Sequence, residues 1–268
     1  MLALSDLCAS GNSRDVNERD DDVPAFDREL VTDLAQTRVG KALRDLPIRY
    51  FHATLEGAEN IPRDGGALLV GNHSFLGIDG FVLGMLVLRE TQRLVRFLGE
   101  KNLWKIPGLG GIITALGVIP GEPDAATALL TQGEIVAVYP GGIDDSFKSR
   151  DERYRLKWGA RAGFARIAMR ARVPIVPVAA EGIDEAFTIL GRERWLGRRL
   201  FGSPRYDIPI ALGALGLPIP IPKRAPQRYR ALACIDTRGD VHRPEDVDRV
   251  RLATWTALDA ALREARNG

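Results

Sequence analysis

Short runs of consecutive apolar residues alternate along the chain with longer stretches in which apolar positions recur at helical spacing. ALLVG (67–71), VRFLGE (95–100) and EIVAVYPGG (134–142) are such runs, and glycine closes or follows each of them. Continuous apolar strands of this kind belong to a sheet covered on both faces. Between Phe26 and His52 the positions Leu30, Leu34, Val39, Leu43 and Leu46 predict a first helix, followed by a strand from Phe51 to Glu56 and the turn ENIPRDGG. FVLGMLVLRE (81–90) predicts a helix with Asp79 as its N-cap. RAGFARIAMRARVPIVPVAAEG predicts a helix, a break at Val173-Pro174, and a further strand.

Strands alternating with helices predict an α/β fold: a single-domain sandwich with a largely parallel central sheet flanked by helices. In such a sheet the working groups gather beyond the carboxyl ends of the strands. His73 follows ALLVG and Gly141 follows EIVAVYP, so both fall at strand ends. With no internal repeat and no linker, the expected division is a polar, acidic and disordered arm over 1–25, a helical segment over 26–52, the main domain over 53–240 and a C-terminal helix over 241–268.

Composition narrows the function classes. A chain of 268 residues with 45% hydrophobic and 27% charged residues has the material for a sizeable core. The net charge of +2 gives no reason to expect nucleic acid as a partner. Cys8 and Cys234 match no metal or redox spacing and read as free thiols of a reducing compartment, and three histidines argue against zinc. The N-terminus has neither a basic n-region nor a long apolar h-region, so no secretory signal is expected. The longest apolar runs, 108–120 and 208–222, are shorter than the roughly 20 residues that span a bilayer. GLGG (108–111) lacks the preceding strand, the third glycine and the later acid of a dinucleotide site.

The candidate chemistry begins with GNHSFLGIDG (71–80). On a continuous helix His73 and Asp79 would point about 240° apart, so they meet only if the chain between them loops, which Gly77 favours. A carboxylate on one imidazole nitrogen fixes the tautomer and leaves the other nitrogen as a general base for a hydroxyl. The alternative is a helix N-cap beside a polar turn histidine. Ser74 reads as a turn or cap residue, and without a Gly-x-Ser-x-Gly elbow an acyl-serine route is not expected.

Four blocks in order, LLVGNHSFLGID, FLGEKNLWKIPGLGGIITALGVIPG, VAVYPGGIDDSFKSRDERYRLKWGARAGFARIA and VPIVPVAAEGIDEAF, resemble the glycerolipid acyltransferase superfamily over residues 50 to 235. The chain looks most similar to the monoacylglycerol and diacylglycerol acyltransferase-like branch, and the resemblance implies a glycerol-3-phosphate acyltransferase-like fold. It implies His73 as the base and Asp79 as its orienting partner, with one residue more between them than the usual Asn-His-x-x-x-x-Asp. It also points to Asn72, Gly121, Tyr139, Pro140, Gly141, Gly142, Asp145, Lys148, Arg150 and Arg161 as substrate-binding positions, with Val173–Val178 shaping an acyl channel.

The implied reaction is direct attack of a lipid alcohol on acyl-CoA, a co-substrate, with no bound cofactor. Gly141 stands where phosphate-using relatives have glutamate, and the second block lacks their arginine, which favours a neutral acceptor. Lys148, Arg150, Arg153 and Arg161 leave open a phosphate-bearing acceptor, a site for the phosphates of coenzyme A, or simply a solvated basic face. Arginines, Trp195, Leu200 and Phe201 in 191–222, followed by an apolar run, suggest a peripheral segment at the cytoplasmic face of a membrane. Asp184 and Glu185 are expected to cap or pair locally. The competing readings are a lipid-binding protein that has lost turnover, suggested by the longer His-Asp spacing, and a thioesterase-like hydrolase.

Overall fold

The computed structural model describes residues 31, 33, 36–105, 108–193 and 208–267. In chain order its elements are α1 (Arg38–Tyr50), β1 (Thr54–Glu56), β2 (Ala67–Gly71), α2 (Ile78–Thr91), β3 (Val95–Gly99), α3 (Leu109–Ala115), β4 (Val118–Pro120), α4 (Pro123–Thr131) and β5 (Ile135–Val138). There follow α5 (Ile143–Ser146), α6 (Gly163–Ala171), β6 (Ile175–Glu181), β7 (Thr188–Glu193), β8 (Ile208–Leu212), β9 (Arg228–Ala231) and α7 (Pro244–Asn267).

Seven strands form one sheet in the order β1-β9-β6-β2-β5-β3-β4. The five from β6 to β4 are mutually parallel, while β9 runs antiparallel to β6 and carries β1 parallel to itself. The expected α/β sandwich with a largely parallel sheet is the observed architecture. Burial explains why its central strands read as unbroken apolar runs. Ala67 and Leu69 of β2 pack into one core with Val82, Leu86 and Val87 of α2. Leu68 and Val70, pointing the other way, pack with Leu130 of α4, Phe164 and Ala168 of α6, and Leu258 of α7.

Several expectations are corrected. The strand expected from Phe51 begins only at Thr54, because Phe51 closes α1. Helix α2 begins at Ile78 rather than 81, and its N-cap is Gly77 in a left-handed conformation, not Asp79. Part of the segment read as a membrane-facing run is a separate two-stranded sheet, β7 with β8. The expected arm over 1–25 and the arginine-aromatic stretch 194–207 lie outside the described residues, as does Cys8. Among the described residues no helix is long and apolar enough to cross a membrane.

Candidate active site

Strand β2 ends at Gly71 and delivers Asn72, His73 and Ser74 to the carboxyl edge of the sheet. Asn72 is buried and locks this point to β6: its Nδ2 donates to Ala180 O at 2.8 Å and its Oδ1 accepts from Ala180 N at 2.9 Å. Both polar ends of its amide are therefore engaged by main chain. The loop beyond closes tightly, because Leu76 and Gly77 are both left-handed, at φ 63° and 67°. Two consecutive left-handed residues turn the chain back on itself, so the extra residue between His73 and Asp79 is absorbed in the turn. His73 Nδ1 consequently lies 2.9 Å from Asp79 Oδ2.

Asp79 is 1% exposed and sits in the first turn of α2, where the helix dipole favours a carboxylate. Its Oδ1 accepts from Ser74 N at 3.2 Å and Ser74 Oγ at 2.8 Å. Burial works to raise its pKa, but the His73 charge and the hydrogen bonds from His73 and Ser74 outweigh burial and hold it below the ordinary value. The Ser74 hydroxyl is thus a carboxylate ligand, which is a poor disposition for a nucleophile. The His73 side chain is 20% exposed.

The turn after β5 supplies the second wall. Tyr139 stacks on His73 with ring centroids 4.3 Å apart, and its buried hydroxyl lies close to the Asp79 side of the site without a well-formed hydrogen bond. Burial, then the Asp79 charge, push that phenol well above its usual range. Gly142 N donates to Tyr139 O at 2.9 Å, and the Pro140 and Gly141 carbonyls accept from Arg161, which also pairs with Asp144. Gly121 N donates to Gly99 O at 2.8 Å at the end of β4.

Asp145 is fully buried and accepts from Lys157 N at 2.8 Å and Trp158 Nε1 at 3.2 Å. Burial raises its pKa, against the opposing pull of Lys148, Lys157 N, His73 and Trp158. Lys148 is itself buried, with Nζ 3.0 Å from Asp184 Oδ2. Asp184 also accepts from Tyr154 N, and Glu185 pairs with Arg153 and the Tyr154 hydroxyl, so neither acid pairs only locally as expected. Arg150 is exposed and lines a recess of about 440 Å³ with Arg153, Arg155 and Arg266. A second recess of about 630 Å³ is bordered by His52, Tyr154, Glu185 and Arg230, and His73 lines neither. Trp158, Arg155 and Arg266 carried no signal in the sequence, because the first two reach their places through the loop that follows Asp145 and Arg266 meets that loop at Tyr154 O from the last turn of α7.

Residues 52–181 match the family described as Acyltransferase. That match supports the glycerolipid acyltransferase superfamily, as the sequence resemblance implied. An uncharacterised protein of Mycobacterium tuberculosis is 36% identical over 182 residues, 65% of this chain and 50% of that protein. The human protein named DGAT1/2-independent enzyme synthesizing storage lipids is 33% identical over 174 residues, 62% of this chain and 53% of that protein. The chain therefore spans about half the length of the curated relatives it matches. In fold it is similar to the crystal structure of the 1-acyl-sn-glycerophosphate acyltransferase of Thermotoga maritima, with a TM-score of 0.55 at 19% identity over 89% of this chain and 88% of that one.

Proposed function

We propose that this chain is an O-acyltransferase that moves a fatty acyl group from an acyl thioester, acyl-CoA, to the hydroxyl of a neutral glycerolipid or other lipid alcohol. The observation that carries the reading is the 2.9 Å contact between His73 Nδ1 and the buried Asp79 carboxylate. It fixes Nε2 as the nitrogen that takes a proton. In the proposed step the acceptor oxygen bonds to the thioester carbonyl carbon as its proton passes to His73. The tetrahedral intermediate then collapses, the carbon–sulfur bond breaks, and the proton leaves with the thiol. Main-chain amides of the turn after β5 are the proposed donors to the oxyanion. An intact His-Asp pair disfavours the reading of a fold that has lost turnover.

The neutral acceptor rests on the engaged state of two basic candidates: Lys148 is buried on Asp184, and Arg161, though exposed, is held by carbonyls and Asp144. The human relative's name, with its reference to storage lipids, agrees in class. A lysophospholipid or glycerophosphate acceptor is favoured by one feature, the recess bordered by Arg150, Arg155 and Arg266. Peripheral attachment at the cytoplasmic face of a membrane accompanies the proposal, since Leu76 and Phe81, beside the His-Asp pair, are exposed apolar residues.

The test incubates the protein and His73→Ala with labelled acyl-CoA and separate acceptors: monoacylglycerol, diacylglycerol, lysophosphatidate and a fatty alcohol. Acylated product that disappears in the variant is expected, chiefly from the neutral acceptors. Free fatty acid in place of ester would move the reading to a hydrolase, and no turnover with retained acyl-CoA binding would move it to a lipid-binding protein.

A further inference from the structure

Asp79 holds the His73 imidazole by one edge, and an edge contact alone leaves the ring free to rock about it. What limits that motion lies against the ring face. The Tyr139 ring stacks on His73 with planes 10° apart. Phe97 stands behind Tyr139, with centroids 6.5 Å and planes 11° apart. The three rings come from the turn after β2, the end of β5 and the middle of β3. They line up because β5 lies between β2 and β3 in the sheet.

Helix α2 is shaped to seat this column. A Cβ on Gly80 would stand 3.3 Å from Phe97 Cε1 and 3.3 Å from the Tyr139 hydroxyl oxygen, and one on Gly84 would stand 3.2 Å from Phe97 Cε2. Glycine inside a helix is destabilising relative to alanine, so two glycines one turn apart, both against Phe97 and Gly80 also against the Tyr139 hydroxyl, are a cost that the close seat explains. The Tyr139 hydroxyl, by contrast, is buried without a well-formed hydrogen bond. The face of the ring makes the His73 contact, while the hydroxyl end lies against Gly80.

We propose that Tyr139 is a positioning residue for His73: the face of its ring, backed by Phe97, fixes the plane of the imidazole so that Nδ1 stays on Asp79 while Nε2 faces the acceptor. The functional half of this statement rests on the acyltransferase reading. An aromatic face also favours the imidazolium that forms during transfer. The hydroxyl is dispensable in this assignment, and the ring is not.

Tyr139→Phe and Tyr139→Leu separate the two. Turnover is followed as kcat and KM, and the His73 Cε1 proton by NMR, where a chain with three histidines gives few signals to assign. Tyr139→Phe is expected to keep kcat within about twofold and to leave the ring-current shift of that proton in place. Tyr139→Leu is expected to lower kcat by about 10- to 100-fold with KM within about threefold, the scale of a misplaced catalytic group; the proton moves in that variant in any case, because the ring current is gone, so the kcat and KM split is its readout. A folded leucine variant with unchanged kcat overturns the proposal. So does a phenylalanine variant as impaired as the leucine one, because the hydroxyl would then be the working part. If the parent shows no acyl transfer, the function reading fails, while Phe97→Leu, which keeps the Tyr139 ring, still decides by the ring-current shift of the His73 proton whether the backed ring holds the imidazole. Should Tyr139→Leu not fold, Phe97→Leu, which removes the backing ring, carries the same comparison.

Discussion

Gly141 and Asp145 occupy the same volume: a Cβ on Gly141 would lie 2.2 Å from Asp145 Cγ. The carboxylate cannot swing aside, because Lys157 N and Trp158 Nε1 hold it in a buried place. Gly141→Ala is therefore expected to lower stability by about 1–3 kcal/mol, the usual cost of overpacking. In an Asp145→Gly background the same change should cost clearly less, since the Asp145 Cβ at 2.6 Å goes together with the carboxylate. Denaturant titration of the four proteins measures this, and equal costs in both backgrounds would refute the shared-volume argument.

The roles within His73, Ser74 and Asp79 separate by substitution. Asp79→Asn keeps the shape but offers a neutral partner to the imidazole, and is expected to lower kcat by roughly 10²–10⁴-fold. Ser74→Ala removes one hydroxyl donor to Asp79 Oδ1 and leaves the main-chain donor, so at least about a tenth of the activity should persist, with about 1 kcal/mol lost in stability. Complete loss in Ser74→Ala, or a trapped acyl-serine by mass spectrometry, would instead make Ser74 the nucleophile.

Acid stability should report on Asp79. Its pKa in the folded protein is depressed below the unfolded reference of 3.8, so its ionised form contributes stability that is fully present above that reference. The contribution is lost as pH falls through the lower folded-state value. The stability gap between the protein and Asp79→Asn is thus expected to be constant from neutral pH down to about 4 and to shrink below it. Urea titrations across that range measure the gap, and a gap that closes well above pH 4 would contradict a depressed carboxylate.

The legible parts of the fold were those in which one local signal dominates. ALLVG reads as a buried strand because both its faces are covered, and His73 could be placed at a strand end for that reason. The His-Asp contact was legible only as a possibility, since it depends on Leu76 accepting a left-handed conformation, which leucine does not advertise. Strand β9 was missed because RYRA alternates charge with apolar residues and lies between β1 and β6, strands distant from it in sequence. The basic candidates were the least legible. Whether Lys148, Arg153 or Arg161 faces a ligand depends on acids and carbonyls that the fold brings to them, and Asp184, which takes up Lys148, lies across the loop from it.

The surface of α1 gives the remaining prediction. Val39, Leu43 and Leu46 lie on one stripe and are 68%, 63% and 64% exposed, while Arg38, Lys41 and Arg49 are exposed on the same helix. An apolar stripe flanked by cations is the pattern of a helix that rests in a bilayer interface with anionic headgroups. Since each such side chain gains roughly 1.5–3 kcal/mol on full burial, replacing all three by serine is expected to weaken sedimentation with anionic vesicles at least about tenfold, even for partial insertion. Turnover of a short-chain, water-soluble donor and acceptor should be little changed, because these three side chains are exposed and the buried Ile48, which packs α1 into the core with α2, is left in place. Unaltered vesicle binding in the triple variant would mean that attachment uses another surface, and equal loss on soluble substrates would point to damage to the fold rather than to the interface.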